Sequence, residues 1–220
     1  MIKTIKNFIK NNYIWIIFFI CVVLFLALAE DVFTHEIMKG DIIGYNLVSK
    51  YLIKTNITPI VKYITWFGSA TCLILISLLS FILKNKKISI CILSNLVIIT
   101  LLNQLFKFIF ERPRPTEFRI ITETGYSFPS GHSMVSMAFY GFIIYLIYKN
   151  VSNKYTKWIL ISILSLLIVS IGISRIYLGV HYTSDVLAGF LISISYLIIY
   201  IKYTKRVIDK DSSYEKQKIN

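Results

Sequence analysis

The sequence contains few acidic residues, few histidines and few cysteines. Among 220 residues there are 11 aspartates and glutamates against 24 lysines and arginines, with three histidines and three cysteines. Cys21, Cys72 and Cys91 each lie inside an apolar block and lack the close spacing of metal ligands. We interpret them as small buried hydrophobic residues, which excludes a disulfide framework and a cysteine-based metal site.

Apolar residues, in contrast, make up 56% of the chain and occur in long blocks rich in Ile, Leu, Phe and Val. Several blocks approach the roughly 20 residues that a helix needs to cross the hydrocarbon core of a bilayer. We therefore predict an all-α, polytopic membrane protein that forms a single domain over residues 1–220. In a soluble protein the net charge of +13 would suggest a nucleic-acid partner. Here the placement of the basic residues relative to the membrane accounts for most of the charge, so no nucleic-acid partner is expected.

The apolar blocks predict six transmembrane helices, at about 13–28, 59–83, 88–110, 132–148, 158–174 and 182–203. No small-residue cleavage site follows the first block, so it is predicted to be a retained anchor and not a removed signal peptide. Residues 30–56 carry apolar residues at helical spacing, which favours an amphipathic helix lying in the outer membrane interface, with a solvated loop as the alternative. The polar, basic tail at about 204–220 is expected to fray.

The distribution of basic residues predicts the orientation in the cell membrane. Most lysines and arginines lie at the two termini and in the loops at 84–87 and 149–157. By the positive-inside rule this side is cytoplasmic, and six spans place both termini there. The loop between the third and fourth spans, and the turn between the fifth and sixth, then face the extracytoplasmic side. The polar clusters described below all lie on that side.

The first polar cluster follows the third span. Lys107 lies near its outer end, and prolines follow both Arg112 and Arg114. Because a proline disfavours helical geometry in the residue before it, the helix is predicted to stop near Glu111 or Arg112. The cations suit a phosphate, which arginine grips with two parallel hydrogen bonds. As alternatives, Lys107 extends to the interface, and Arg112 pairs with Glu111 or a lipid head group.

The second cluster is Pro129-Ser130-Gly131-His132, directly before a long apolar run. Ser130 is a credible helix N-cap, and Gly131 would let an anion approach the backbone. The free N–H groups of a helix start attract anions, and His132 would lie in the same first turn. The alternative is an ordinary capped helix with a histidine at the interface.

The third cluster closes the fifth span and opens the sixth. It contains Arg175, and then His181 and Asp185, which are four residues apart and would share one helical face. A carboxylate beside an imidazole fixes its tautomer and raises its basicity, as in nucleophilic and acid–base sites. The alternative is a salt-linked helix end. Asn95, Asn103 and Gln104 in the third span are predicted to be hydrogen-bonding links between helices.

The pattern Lys-x6-Arg-Pro, Pro-Ser-Gly-His and Ser-Arg-x5-His-x3-Asp, in this order, resembles the three signature motifs of the type-2 phosphatidic acid phosphatase superfamily, which includes bacterial membrane lipid phosphatases. The resemblance covers residues 107–185 and implies a role for each motif residue. Lys107, Arg114 and Arg175 would bind phosphate oxygens, and Ser130 and Gly131 would add hydrogen bonds. His181 would attack phosphorus with Asp185 orienting it, and His132 would protonate the leaving oxygen and then activate water.

The resemblance implies a lipid phosphatase that needs no metal and no cofactor. The expected substrate is a lipid phosphate, with undecaprenyl diphosphate of cell-wall synthesis favoured and phosphatidylglycerophosphate or phosphatidic acid as alternatives. The outer face also lacks a carboxylate cluster to hold magnesium, whose electrostatic work three fixed cations can do. A phosphate-binding transporter or channel is the non-enzymatic alternative. The sequence leaves the oligomeric state open.

Overall fold

The computed structural model describes the backbone of residues 2–34, 38–53, 56–82, 85–117 and 119–219, with side chains described from residue 11 to 206 and at 208 within these ranges. Regular structure in these ranges is helical throughout. The helices are α1 (Ile2–Phe33), α2 (Lys39–Leu52), α3 (Thr58–Trp66), α4 (Ala70–Leu79, followed by a 3-10 turn at Ser80–Ile82), α5 (Lys86–Phe110), α6 (Gly131–Asn150), α7 (Lys154–Tyr177) and α8 (Thr183–Ile219).

The predicted membrane architecture is confirmed. Five helical segments within the described ranges are long and apolar enough to cross a bilayer, namely Asn11–Phe33, Lys86–Phe110, Gly131–Asn150, Lys154–Tyr177 and Thr183–Arg206. The pair α3 and α4 makes a sixth span if it is counted as one, although its two halves are bent by 47°. The tail expected to fray instead continues α8 to Ile219, since no proline or glycine interrupts it.

The bend between α3 and α4 was not predicted from the sequence. Ser69 caps α4 by accepting a hydrogen bond from the Cys72 backbone N–H. Gly68 lies against α6 and α7, so a β-carbon there would come within 2.7 Å of the Ile171 side chain and 3.1 Å of His132. Only glycine fits at position 68, because the backbone there lies so close to α6 and α7. This contact places the C-terminal end of α3 beside the N-terminal end of α6.

A helix also forms within the segment predicted to lie in the interface. α2 occupies its centre, whereas residues 30–33 continue α1, and residues 35–37 and 54–55 lie outside the described residues. Ile42, Ile43, Leu47 and Tyr51 are exposed on α2, while Asp41 is buried against the rest of the protein. The face of α2 that packs against the rest of the protein therefore includes a buried carboxylate.

Helix α6 is the centre of the bundle and packs against α5, α7 and α8. Two of its own side chains, Phe139 and Phe142, are almost completely buried in the core between these helices. The C-terminal end of α5 lies near the start of α6 because the chain leaves α5 at Glu111, which has a left-handed φ of 46°. This ending confirms the helix stop predicted from the two prolines. As a result, the ends of α5 and α7 and the starts of α6 and α8 all lie at one end of the bundle.

The close contact of α6 and α8 gives a test of this packing. A β-carbon at Gly189 would lie 3.1 Å from both the Met134 nitrogen and the Ser130 oxygen, which are backbone atoms of α6. We expect Gly189→Ala to lower the free energy of unfolding by about 1–2 kcal/mol, the usual cost of overpacking. Thermal unfolding of the detergent-solubilised protein measures the change. Gly40→Ala in α2 is the control, since no heavy atom lies within 4 Å of its β-carbon position. Equal changes in both variants would contradict this account of the packing.

Candidate active site

The candidate site lies where four helix ends and one loop meet. The loop 111–130 joins α5 to α6, and the turn 178–182 joins α7 to α8. Backbone hydrogen bonds link the loop to the turn, from the Ile120 N–H to the Leu178 carbonyl, and to the start of α8, from the Ser130 N–H to the Asp185 backbone carbonyl. The three sequence clusters, which span 79 residues from Lys107 to Asp185, are thereby brought together.

His181 is held on both ring nitrogens. Its Nδ1 lies 3.2 Å from Asp185 Oδ2, and its Nε2 lies 3.1 Å from Arg114 Nη1. A guanidinium can only donate and a carboxylate can only accept, so Nδ1 carries the proton and Nε2 presents its lone pair. His181 lies in the turn before α8 and not on the first helical turn as predicted. The contact with Asp185 still forms, because the Asp185 carboxylate also accepts the Tyr182 N–H and draws the turn back over the helix start.

The environment of His181 keeps its ring neutral. Burial is the largest influence and lowers the pKa of the imidazole to about 4, against an opposing effect from Asp185. Arg175 and Arg114 lower the pKa further by repulsion. The imidazole is therefore unprotonated and nucleophilic at neutral pH.

Arg114 is fixed mainly by backbone carbonyl groups. It donates to the carbonyl oxygens of Thr124, Gly125 and Val180 at distances of 3.0–3.1 Å. Its guanidinium is buried, so these hydrogen bonds set its orientation relative to His181. The backbone of the loop and of the turn thus supplies most of the contacts that orient the cation.

Arg175 carries a donor that the protein leaves unused. Its Nη1 donates to Thr65 Oγ1 at 2.8 Å, and its Nη2 donates to Glu123 Oε1 at 2.6 Å. Its Nε is buried and has no hydrogen-bond partner within the described part of the chain. A buried donor without a partner is costly, and a phosphate oxygen is a fitting acceptor for it.

Glu123 places a carboxylate among these cations. Besides its bond to Arg175, it lies 4.0 Å from Arg114 Nη2. Burial by itself raises the pKa of the Glu123 carboxyl, but Arg175 and Arg114 lower it more, so the pKa lies below its usual value. The group is an anion at neutral pH, and it uses donors that a phosphate would need.

Lys107 lies at the edge of the same cluster. Its Nζ donates to the Tyr126 carbonyl oxygen at 2.7 Å. It interacts electrostatically with Arg114, Arg175, Asp185 and Glu123. Lys107 is thus directed at the site and not simply extended toward the membrane interface.

The second motif is organised as a capped helix start. The buried Ser130 is the N-cap of α6, and its Oγ accepts from the backbone N–H of Ser133 at 3.5 Å, as predicted from the sequence. A β-carbon at Gly131 would lie 3.0 Å from Asn103 Oδ1, and Asn103 donates to the Pro129 carbonyl oxygen. Glycine therefore allows α5 and the start of α6 to approach each other. Asn103, like Asn95, forms the predicted link between helices, whereas Gln104 is exposed.

His132 lies one residue into α6, where its ring is close to Gly68 at the bend between α3 and α4. It interacts electrostatically with Arg175, His181, Lys107 and Arg114. The structure therefore brings the three sequence motifs together at one end of the bundle.

The partners of Arg112 differ from those predicted from the sequence. It pairs with Asp185 at 2.6 Å and with Asp41 of α2 at 2.9 Å, and not with Glu111 or a lipid head group. Sequence reasoning missed three residues of the site, namely Asp41, Thr65 and Glu123. Their partners lie 52 to 110 residues away in the chain. No local spacing could have revealed them, although a buried aspartate in an otherwise amphipathic helix is a recognisable feature once the fold is known.

A cavity of about 570 Å³ adjoins the site. It lies between α2, the loop residues 115–117 and the turn that carries His181, and its lining includes Ile42, Tyr45 and Pro115. Most of its walls are apolar or uncharged polar groups, and two carboxylates, Asp41 and Glu117, complete the lining.

Comparison with known proteins places this arrangement in a family. The profile of the PAP2 superfamily matches residues 88–209. The undecaprenyl-diphosphatase of Sulfolobus acidocaldarius is 30% identical over 208 residues, which are 89% of this chain and 94% of that protein. The phosphatidylglycerophosphatase B of Bacillus subtilis is 44% identical over 92 residues, which are 41% of this chain and 45% of that protein.

Solved structures share the fold. The crystal structure of a transmembrane PAP2-type phosphatidylglycerolphosphate phosphatase from Bacillus subtilis superimposes with a TM-score of 0.72 at 26% identity, covering 85% of this chain and 95% of that one. The structure of LpxE from Aquifex aeolicus gives a TM-score of 0.61 at 25% identity, covering 72% and 93%. Because the profile spans more than half of the chain and a relative aligns along most of it, this protein belongs to the PAP2 superfamily and is a multi-pass membrane enzyme that hydrolyses phosphate esters.

Proposed function

We propose that this enzyme removes the terminal phosphate of a membrane lipid through a phosphohistidine on His181, with undecaprenyl diphosphate as its preferred substrate. The observation that carries the proposal is the imidazole of His181, which is buried, neutral and fixed between Asp185 and Arg114. A nucleophile oriented by a carboxylate on its far nitrogen is a recurring arrangement in covalent catalysis.

The first chemical step forms an N–P bond. The Nε2 lone pair attacks phosphorus while the bond from phosphorus to the lipid oxygen breaks. Asp185, on Nδ1, stabilises the positive charge that develops on the ring. Arg114 must transfer its hydrogen bond from Nε2 to a phosphate oxygen for the attack to occur, so substrate binding itself releases the nucleophile.

Three cations stabilise the transferring group. Lys107, Arg114 and Arg175 surround the site, and the unpartnered Nε of Arg175 supplies a further donor to a phosphate oxygen. Phosphoryl transfer depends mainly on positioning and charge stabilisation, which these residues provide without a metal. His132 then gives a proton to the leaving oxygen, and in the second step it takes one from the water that hydrolyses the phosphohistidine.

The relatives support a lipid substrate. The alignment with the undecaprenyl-diphosphatase extends along nearly the whole of both chains, which favours a polyprenyl diphosphate. The higher local identity and the fold of the Bacillus subtilis proteins favour phosphatidylglycerophosphate as the second candidate. The four helix ends of the site share one end of the bundle, and the positive-inside rule makes that end extracytoplasmic in this proposal.

A panel of lipids tests the substrate and the nucleophile together. Purified protein is incubated with undecaprenyl diphosphate, phosphatidylglycerophosphate and phosphatidic acid, and phosphate release is measured. We expect the highest kcat/KM with undecaprenyl diphosphate, and a loss of about 10⁴-fold in His181→Ala, because the nucleophile is removed. Labelled phosphate should be trapped on the wild-type protein in an acid-labile, alkali-stable form.

Tyr155→Ala serves as the control, since this exposed side chain lies at the other end of α7 from Arg175. Equal rates on all three lipids would defeat the substrate assignment. Retained turnover in His181→Ala, or activity lost to a chelator and restored by magnesium, would defeat the mechanism.

The pKa of His181 predicts a pH dependence of stability. The folded pKa of about 4 lies below the ordinary value of 6.5, so between these values the unfolded chain binds a proton that the folded chain does not. Stability is therefore lost as the pH falls from about 6.5 toward 4. Thermal unfolding at pH 7.5, 6, 5 and 4.5 should show this loss in the wild type but less in His181→Gln, which lacks the group. Parallel curves for the two proteins would contradict the lowered pKa.

Glu123 should weaken phosphate binding because it uses the same cations. We expect Glu123→Gln to lower the inhibition constant of inorganic phosphate by about 3- to 10-fold, on the scale of one competing charge near the protein surface. Inhibition of lipid hydrolysis by phosphate measures this constant. Glu30→Gln, the same chemical change at an exposed position of α1, is the matched control. Weaker inhibition in Glu123→Gln than in the wild type would show that this carboxylate aids phosphate binding.

A further inference from the structure

A buried chain of charges connects α2 to the nucleophile. Asp41 lies 2.9 Å from Arg112 Nη2, and Arg112 Nη1 lies 2.6 Å from Asp185 Oδ1. The side chains of all three residues are at most 6% exposed. Asp41 lies outside the residues that match the superfamily profile and in the segment that the sequence marks only as amphipathic.

The two oxygens of Asp185 have separate partners. Oδ2 faces His181 Nδ1 and the Tyr182 N–H, whereas Oδ1 accepts from Arg112. A carboxylate with both oxygens occupied cannot rotate freely about its side-chain bonds. Arg112 therefore fixes the angle at which Oδ2 meets the imidazole, although it does not touch the imidazole itself.

Asp41 in turn fixes Arg112. Its Oδ2 accepts from the guanidinium and from the Ser184 hydroxyl, and its Oδ1 accepts from the Ser184 backbone N–H at 2.8 Å. The Arg112 guanidinium also lies over the Tyr182 ring, 4.1 Å from its centre. Asp41 thus ties the arginine to the first turn of α8, where the positive end of the helix stabilises both carboxylates.

Helix α2 is held tightly in this position. A β-carbon at Gly44, almost one turn beyond Asp41, would lie 2.1 Å from Thr183 Oγ1, so only glycine fits between α2 and the start of α8. Two buried carboxylates around one guanidinium are costly to assemble, and a buried ion pair often gives little net stability. These ion pairs are therefore better explained by a role in orienting a reacting group than by a contribution to the stability of the fold.

We propose that Asp41 and Arg112 are positioning residues for catalysis, which hold the Asp185 carboxylate so that it fixes the Nδ1–H tautomer and the direction of attack of His181. This inference rests on the proposed function, in which His181 is the nucleophile. It makes α2 a part of the active site and not merely a helix that covers it.

Steady-state kinetics with the best lipid of the panel test the inference. We expect Asp41→Asn to lower kcat about 10-fold, and Arg112→Lys about 100-fold, because lysine keeps the charge but cannot bridge two carboxylates with a planar group. KM should stay within about 2-fold of the wild type, since neither residue belongs to the phosphate-binding cluster. Asp31→Asn, the same chemical change at an exposed position of α1, is the control and should leave both constants unchanged.

A spectroscopic measurement separates positioning from stability. The chain has only three histidines, so ¹⁵N-histidine labelling gives few signals, and His181→Gln assigns one of them. At pH 7 the wild-type ring should be a single neutral tautomer with the proton on Nδ1, and Asp41→Asn should show a mixture of tautomers. An unchanged tautomer, an effect on KM instead of kcat, or a loss that only follows the folded fraction of the variant would each overturn the inference. If the wild type hydrolyses no lipid phosphate, the proposed function fails, while the tautomer comparison still decides the role of Asp41.

Discussion

The hydrogen bonds on the two nitrogens of His181 are the interaction on which the rest of the structure depends. One partner belongs to α8 and the other to the loop after α5, so the imidazole is oriented only when these distant segments meet. The meeting requires close approaches along α6, which glycine allows at Gly131 and Gly189. Packing in the apolar bundle is therefore arranged to present one neutral ring in one orientation.

The charges follow from the same constraint. A chain that is more than half hydrophobic can hold ionised groups in its interior only if they are paired or hydrogen-bonded. Arg112 is paired with two carboxylates, and Arg114 is satisfied by carbonyl groups. Arg175, within the part of the chain that the structure describes, keeps the buried donor Nε without a partner. The imbalance lies where the proposed phosphate would bind, as expected when polar groups are arranged for a ligand.

Much of this arrangement could be predicted from the sequence. The apolar blocks predict the spans, the prolines after Arg112 and Arg114 predict the end of α5, and Ser130 predicts the start of α6, because each of these features acts through its nearest neighbours. The motif order further predicts which side chains converge. The bend at Gly68 could not be predicted, since it depends on how closely α6 and α7 pack there. Asp41 and Glu123 could not be assigned either, because nothing in their local sequence distinguishes a carboxylate that binds a distant arginine from one that faces water.

The way Arg114 is held has a consequence for how such enzymes diverge. Its anchors are the carbonyl oxygens at positions 124, 125 and 180, which every amino acid carries. Natural variation can therefore replace the exposed side chain at 124 without removing a contact to the cation, whereas the buried Val180 is constrained by its packing. The surface of the loop can therefore vary in sequence while the guanidinium beneath it keeps its orientation.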